Sequence, residues 1–97
     1  MGVFDTDSQI NVDYLIQKGF NREEQSPHDL YTIRMNQNKR RLHFQYYLNH
    51  PKKKNMLIAN KPVFNGYRMR WKKVAEVRVT DIFDMNIILE EIYNEYI

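Results

Sequence analysis

The stretch YTIRMNQNKRRLHFQYYL (residues 31–48) decides the fold. Tyr31, Ile33 and Met35 alternate with Thr32, Arg34 and Asn36, and Leu42, Phe44, Tyr46 and Leu48 alternate with His43, Gln45, Tyr47 and Asn49. A period of two sends successive side chains to opposite faces of a strand, so each run has one apolar and one polar face. The polar segment Gln37-Asn38-Lys39-Arg40 separates the runs and reads as a turn. The whole stretch is therefore an antiparallel hairpin that buries one face.

Toward the C-terminus, Pro51 and the run Lys52-Lys53-Lys54-Asn55 break the pattern. Residues 56–61 read as a third, short strand, and Pro62 places its end at an edge or bulge because proline cannot donate to a ladder. Asn65-Gly66 is a strong two-residue hairpin signal. Beyond it, Tyr67, Met69 and Trp71 are expected to face inward and Arg68, Arg70 and Lys72 outward. Carried on, the alternation turns Ala75, Val77 and Val79 inward, but Lys73 as well, so a bulge or break is expected near Lys73. A helix over residues 71–79 competes, with Trp71, Val74 and Ala75 on one side; the valine content favours a strand. Thr80 is a natural N-cap, with Asp81 in the first turn. Ile82, Met85, Ile88, Leu89, Ile92, Tyr93 and Tyr96 then mark one face of a final helix, with Asp84, Glu90, Glu91 and Glu95 on the polar face.

Toward the N-terminus, residues 1–8 read as an irregular lead-in. Asp7 or Ser8 is expected to cap a helix of about residues 8–18 that carries Ile10, Tyr14 and Leu15. Gly19 stands where a left-handed cap ends a helix, and Phe20 is placed to fold back on Leu15. Residues 21–29 read as a polar loop. The expected fold class is α+β: about four antiparallel strands in one sheet, with an N-terminal and a C-terminal helix packed on one face, in a single domain.

Three pieces of this pattern occur together elsewhere. Tyr-Leu-Ile-Gln-Lys-Gly-Phe at 14–20, the aromatic strand opening at Tyr31, and Val77-Arg78-Val79-Thr80-Asp81 leading into an Ile/Leu-rich helix resemble small helix–sheet–helix proteins of bacteriophages and mobile elements, notably of Bacteroidetes. The resemblance spans most of the chain and implies the same element order and a viral setting. It rests on patterning rather than a signature motif, so it transfers no functional residue. The basic run at Lys52–Lys54 has no counterpart in that pattern.

Charge is segregated along the chain. Residues 31–79 carry 13 Lys or Arg against one acid, Glu76, whereas residues 80–97 carry five acids and no base. Such asymmetry speaks to partners rather than to fold. There is no cysteine, which excludes a disulfide scaffold, thiolate metal sites and cysteine catalysis. No apolar run approaches the length of a membrane span, and the N-terminus lacks the pattern of a secretory signal. A cytoplasmic setting, the host cytoplasm if viral, and no membrane partner are the expectations.

No catalytic constellation is visible. His28, His43 and His50 have no metal-ligand spacing, and phosphate-cradling glycine motifs are absent. No metal or cofactor is expected. His43, beside Arg34 on the polar face, is the one candidate general base for a nuclease, and an exposed strand histidine is the simpler account. The candidate binding residues are Arg34, Tyr47, Arg68, Arg70 and Lys72 on the open sheet face, with Lys39, Arg40, Arg41, Lys52, Lys53 and Lys54 in loops at its rim. A basic sheet bearing a tyrosine suits a nucleic-acid backbone and a stacked base. The competing account is a solubilising charged face that blocks strand addition. A ribonucleoprotein-like sheet needs aromatics on neighbouring strands of the open face, which His43 and Tyr47 do not supply.

The expected function is non-enzymatic binding, to nucleic acid through the basic face and loops. The alternative is a protein-interaction module, either a virion or assembly component or an inhibitor of a host nucleic-acid-binding protein, with the acidic C-terminal helix as a docking or self-association surface.

Overall fold

The computed structural model describes residues 8–37 and 40–96. Helix α1 (Val12–Lys18) is followed by strands β1 (Asn21–Arg22), β2 (Asp29–Gln37), β3 (Arg40–Asn49), β4 (Met56–Asn65) and β5 (Arg68–Arg78), and then by helix α2 (Ile82–Tyr96). The strands form one antiparallel sheet in the order β1-β2-β3-β4-β5, each beside its neighbour in the chain. The α+β class holds, with five strands rather than four. The additional strand, β1, is two exposed polar residues paired with Thr32 and Tyr31, too short for alternation to reveal.

Two inward rows cross the sheet. Ile33, Phe44, Ala59 and Ala75 stand opposite one another in turn, as do Tyr31, Tyr46, Leu57 and Val77. Leu15 of α1 and Met85, Leu89 and Ile92 of α2 join the same buried cluster, so both helices cover this one face. The small side chains at Ala59 and, beyond it, Ala75 lie to one side of the large Phe44, and mixing large and small side chains is how a core interdigitates at native density. The Tyr46 hydroxyl donates to the Val79 carbonyl at 2.6 Å and stands 3.0 Å from Asn55 Oδ1. Burial pushes its pKa upward, so it remains a donor. Asn55, at φ 58, is left-handed, a conformation asparagine tolerates better than most residues. From there its N–H donates to Tyr47 O and its carbonyl accepts from Val79 N, which ties the ends of β3 and β5 together.

Both helix starts differ from the sequence reading. Helix α1 begins at Val12, capped by Asn11, whose side chain accepts from Tyr14 N at 2.8 Å. It starts late because Gln9 bridges to Asp81 and Ile10 N donates to Thr80 O, which hold this segment extended. Ser8 is therefore not its cap, and Asp7 lies outside the described residues. Helix α2 is capped by Asp81 rather than Thr80: Asp81 Oδ1 accepts from Phe83 N and Asp84 N at 2.8 and 3.2 Å. Gly19 ends α1 as expected, at φ 106, and Phe20 N donates to Leu15 O as the chain turns back. A Cβ at Gly19 would also stand 3.0 Å from Ile33 Cδ1, so both backbone and packing require glycine.

The bulge expected near Lys73 is present, at Val74. Ala59 pairs with Ala75, but the next β4 residue, Asn60, pairs with Lys73, which leaves Val74 without a partner. Residues 71–79 are thus strand up to Arg78, not helix. Strand β3 pairs with β4 only over Met56–Asn60. Pro62 follows two residues after Asn60, and a residue without an N–H cannot extend a ladder on that side. From Lys61 to Lys72 the β4–β5 pair continues as a two-stranded ribbon beyond the sheet, in a molecule of 55 × 30 × 21 Å. The ribbon turn is one residue later than Asn65-Gly66: Asn65 pairs with Arg68, so Gly66 and Tyr67 are its central residues. Gly66 has φ 66, the left-handed value a type II′ hairpin needs at its first central position.

Candidate nucleic-acid interface

Residues opposite one another in a ladder share a face, so the register sorts every candidate. The face away from the helices carries Arg34 and His43 as a direct pair, then Gln45 and Tyr47 along β3, and Ile58 and Asn60 on β4. Arg41 belongs to it opposite Asn36, and Arg78 opposite Met56. Arg34, Arg41, Lys73 and Arg78 are all exposed. Glu76 and Asp29 are the acids placed on this face by register among the described residues. The Glu76 carboxylate accepts from Lys73 Nζ at 2.7 Å, and Asp29 Oδ1 accepts from the Arg22 guanidinium at 3.0 Å. The hydrogen bond from Lys73 holds the Glu76 carboxyl below its ordinary range. Asn60 is buried here and satisfied, its amide donating to His43 O and Gln45 Oε1.

The bulge overturns the expected placement of the ribbon residues. Past Val74 the inward and outward positions of β5 exchange. Lys73, Trp71 and Met69 fall on the open face, opposite Asn60, Pro62 and Phe64. Arg68, Arg70 and Lys72 fall on the other face of the ribbon, opposite Asn65, Val63 and Lys61. The open face therefore loses three expected cations and gains an indole. Trp71 packs against His43 with ring centroids 5.2 Å apart, and the Arg34 guanidinium lies 6.0 Å from the indole centroid. This grouping draws on β2, β3 and β5. Phe64 and Met69, on adjacent ribbon strands, are exposed on the same face, and Tyr67 protrudes at the tip.

Tyr47, expected as an open stacking ring, is already engaged. His50 meets it edge-on at 4.9 Å, and Lys53 Nζ lies 5.9 Å from its centroid. His28 packs on His50 at 4.1 Å, closing this end of the face. His50 also organises the lysine loop: its Nδ1 accepts from Lys52 N and Lys53 N at 3.0 and 2.9 Å. Lys52, Lys53 and Lys54 are exposed; Lys53 leans over the open face, whereas Lys54 lines a cleft with Gln9, Ile10 and Thr80. Lys39 and the Arg40 side chain lie outside the described residues. A separate groove of about 340 Å³, lined by Lys18, Met35, Asn86, Leu89, Glu90 and Tyr93, lies on the helix side.

His43 and His50 both hold a proton less readily than an ordinary histidine. At His43 burial is the main cause, reinforced by Arg34 and opposed by Glu23; at His50 desolvation leads, followed by His28 and the two lysines. The unfolded chain therefore takes up protons first as the pH falls through about 6.5. Stability is full above that value and declines as the pH drops toward the lower folded-state values. Thermal melts across this range should show Tm falling on the acid side, and His50→Gln should shrink the fall. A flat profile contradicts the assignment.

Among the described residues there is no group of three His, Asp or Glu arranged to hold a metal ion, and no helix is long and apolar enough to cross a membrane. Comparison with protein-family models, curated proteins and solved structures finds no match to this chain.

Proposed function

We propose that this chain is a small non-enzymatic protein that binds nucleic acid through the open sheet face and the basic loops at its rim. One observation carries the reading. The sheet face left uncovered by the helices bears Arg34, Arg41, Lys73 and Arg78, and the two acids that register places there, Glu76 and Asp29, are engaged by Lys73 and Arg22. Lysines and arginines on an open sheet neutralise phosphates without needing a pocket, and the counterions released make such binding salt-dependent. The lysine loop extends this field at one end; at the other, the ribbon carries Arg68, Arg70 and Lys72 on its opposite face.

Fluorescence anisotropy with short DNA and RNA at low and high salt tests the proposal. With six phosphate contacts, log K falls against log salt with a slope of about −5 on duplex DNA. Reversing Arg34 and Arg41 to glutamate should weaken binding across all sequences and flatten the slope by about 2. Flat titrations at low salt would end the proposal.

A second reading has its own observation. Helix α2 exposes Asp84, Glu90, Glu91 and Glu95 together with Phe83 and Ile87, the latter two 68% and 54% exposed. Apolar side chains among acids suit a basic protein partner or self-association. In a phage or mobile-element setting that partner would be an assembly component or a host nucleic-acid-binding protein. Changes at Glu91 and Glu95 matter under this reading and leave nucleic-acid binding untouched.

A further inference from the structure

We infer that the nucleic acid bound is single-stranded, and that its bases stack on Trp71 and Phe64 along the β4–β5 ribbon; the inference rests on the nucleic-acid reading above. Phe64 is 71% exposed and Tyr67 fully so, on a ribbon that β3 does not reach. Large apolar rings left in water on a projecting element mark a binding surface. The charge around them selects the occupant. Residues 61–73 carry Lys61, Arg68, Arg70, Lys72 and Lys73 and no acid. An acidic polymer that also presents flat apolar surfaces meets both requirements at once.

The geometry favours unpaired bases over a duplex. Aromatic rings offer no donors or acceptors to base edges in a groove, but they stack on any base whose face is free. The faces of duplex bases are already stacked on one another. Trp71 and Phe64 occupy rungs two residues apart, the Pro62–Trp71 rung and the Phe64–Met69 rung. That spacing is about 7 Å along the strand, which suits successive bases spread apart. His43 and Arg34 hold the half-buried indole in place before any ligand arrives, much as His50 and Lys53 engage Tyr47, whereas Phe64 is left exposed. Arg68 and Arg70 leave the opposite face of a ribbon only about 5 Å between strand axes. Their long side chains can therefore reach phosphates at its edges.

The chain has a single tryptophan, so its emission reports on this site alone. The experiment titrates the whole chain with oligothymidylate and with a duplex of the same length, reading Trp71 emission and the anisotropy of a labelled strand. The single strand should quench Trp71 and bind at least about ten-fold more tightly than the duplex. Phe64→Ala and Trp71→Ala should each lower single-strand affinity by about 5- to 100-fold, the range one stacked base contributes. The salt slope should stay as it was, and Trp71→Phe should restore most of the affinity. Circular dichroism confirms the fold of each variant. Equal or tighter duplex binding, or alanine variants that bind single strands as the wild type does, would overturn the stacking inference and leave the basic-face proposal standing. Binding of neither probe at low salt overturns both.

Discussion

Replacing Phe44 with alanine should lower the unfolding free energy by about 3–5 kcal/mol, a large share of the roughly 5–15 kcal/mol typical of a domain. Phe44 is fully buried at the middle of the sheet, between Ile33 and Ala59. Ala59 and Ala75 are already as small as alanine, so that side of the row has no bulk to move into the space. The cavity term is therefore added to the lost transfer energy. Ile33→Val in the same row should cost only about 0.5–1.5 kcal/mol, because Ile33 is half-buried. Urea denaturation of the two variants checks the contrast. Equal losses would show that Phe44 is not the residue around which the sheet packs.

The second large effect is a change of face. A threonine inserted between Ala59 and Asn60 gives Val74 a partner and removes the bulge. Every residue of the ribbon then turns over: Trp71 and Phe64 go to the helix side, and Arg68, Arg70 and Lys72 to the open side. Deleting Val74 also removes the bulge but leaves Asn60 opposite Lys73, so the faces stay as they are. The insertion takes the buried Asn60 amide from Gln45 and from the His43 carbonyl, at a cost of about 1–3 kcal/mol for each buried polar group left unmade. Trp71 emission separates the two variants. In the wild type and the deletion it should respond as His43 takes up a proton on acidification, and in the insertion the response should vanish. A response preserved in the insertion would mean that the bulge does not set the face.

The parts of this fold legible in the sequence are those governed by period and by strong local chemistry. The hairpin at residues 31–48, the inward row through Phe44, the acidic face of α2 and the Gly19 cap follow from alternation or from one residue's conformational range. The caps at Asn11 and Asp81 were obscured by a long-range event: the Gln9–Asp81 bridge and the Ile10–Thr80 hydrogen bond hold residues 9–10 out of the expected helix and engage the backbone of Thr80. The candidate interface was half legible. Arg34, His43 and Tyr47 precede the bulge and fall on the expected face. Trp71, Met69, Arg68, Arg70 and Lys72 lie beyond it on the faces opposite to those expected, because one unpaired residue reverses parity for everything that follows. The signal was present in the sequence as the misfit of Lys73 on an inward position. It marked the existence of a bulge, but not that all of the ribbon lay on its far side. The engagement of Tyr47 by His50 and Lys53 was not legible, since it depends on how two loops fold over the sheet end.

The nearest-neighbour order of the strands governs the route by which the chain reaches this structure. Each of the four pairings joins segments that are consecutive in the chain, so the sheet can zip from its hairpins without a large loss of loop entropy. The two ends meet differently: the Tyr14 hydroxyl donates to Asn86 Oδ1 across 72 positions of sequence. That closure becomes favourable only after the intervening meander has shortened the distance between the ends. Docking of α1 against α2 is therefore expected to follow the formation of the hairpins rather than precede it.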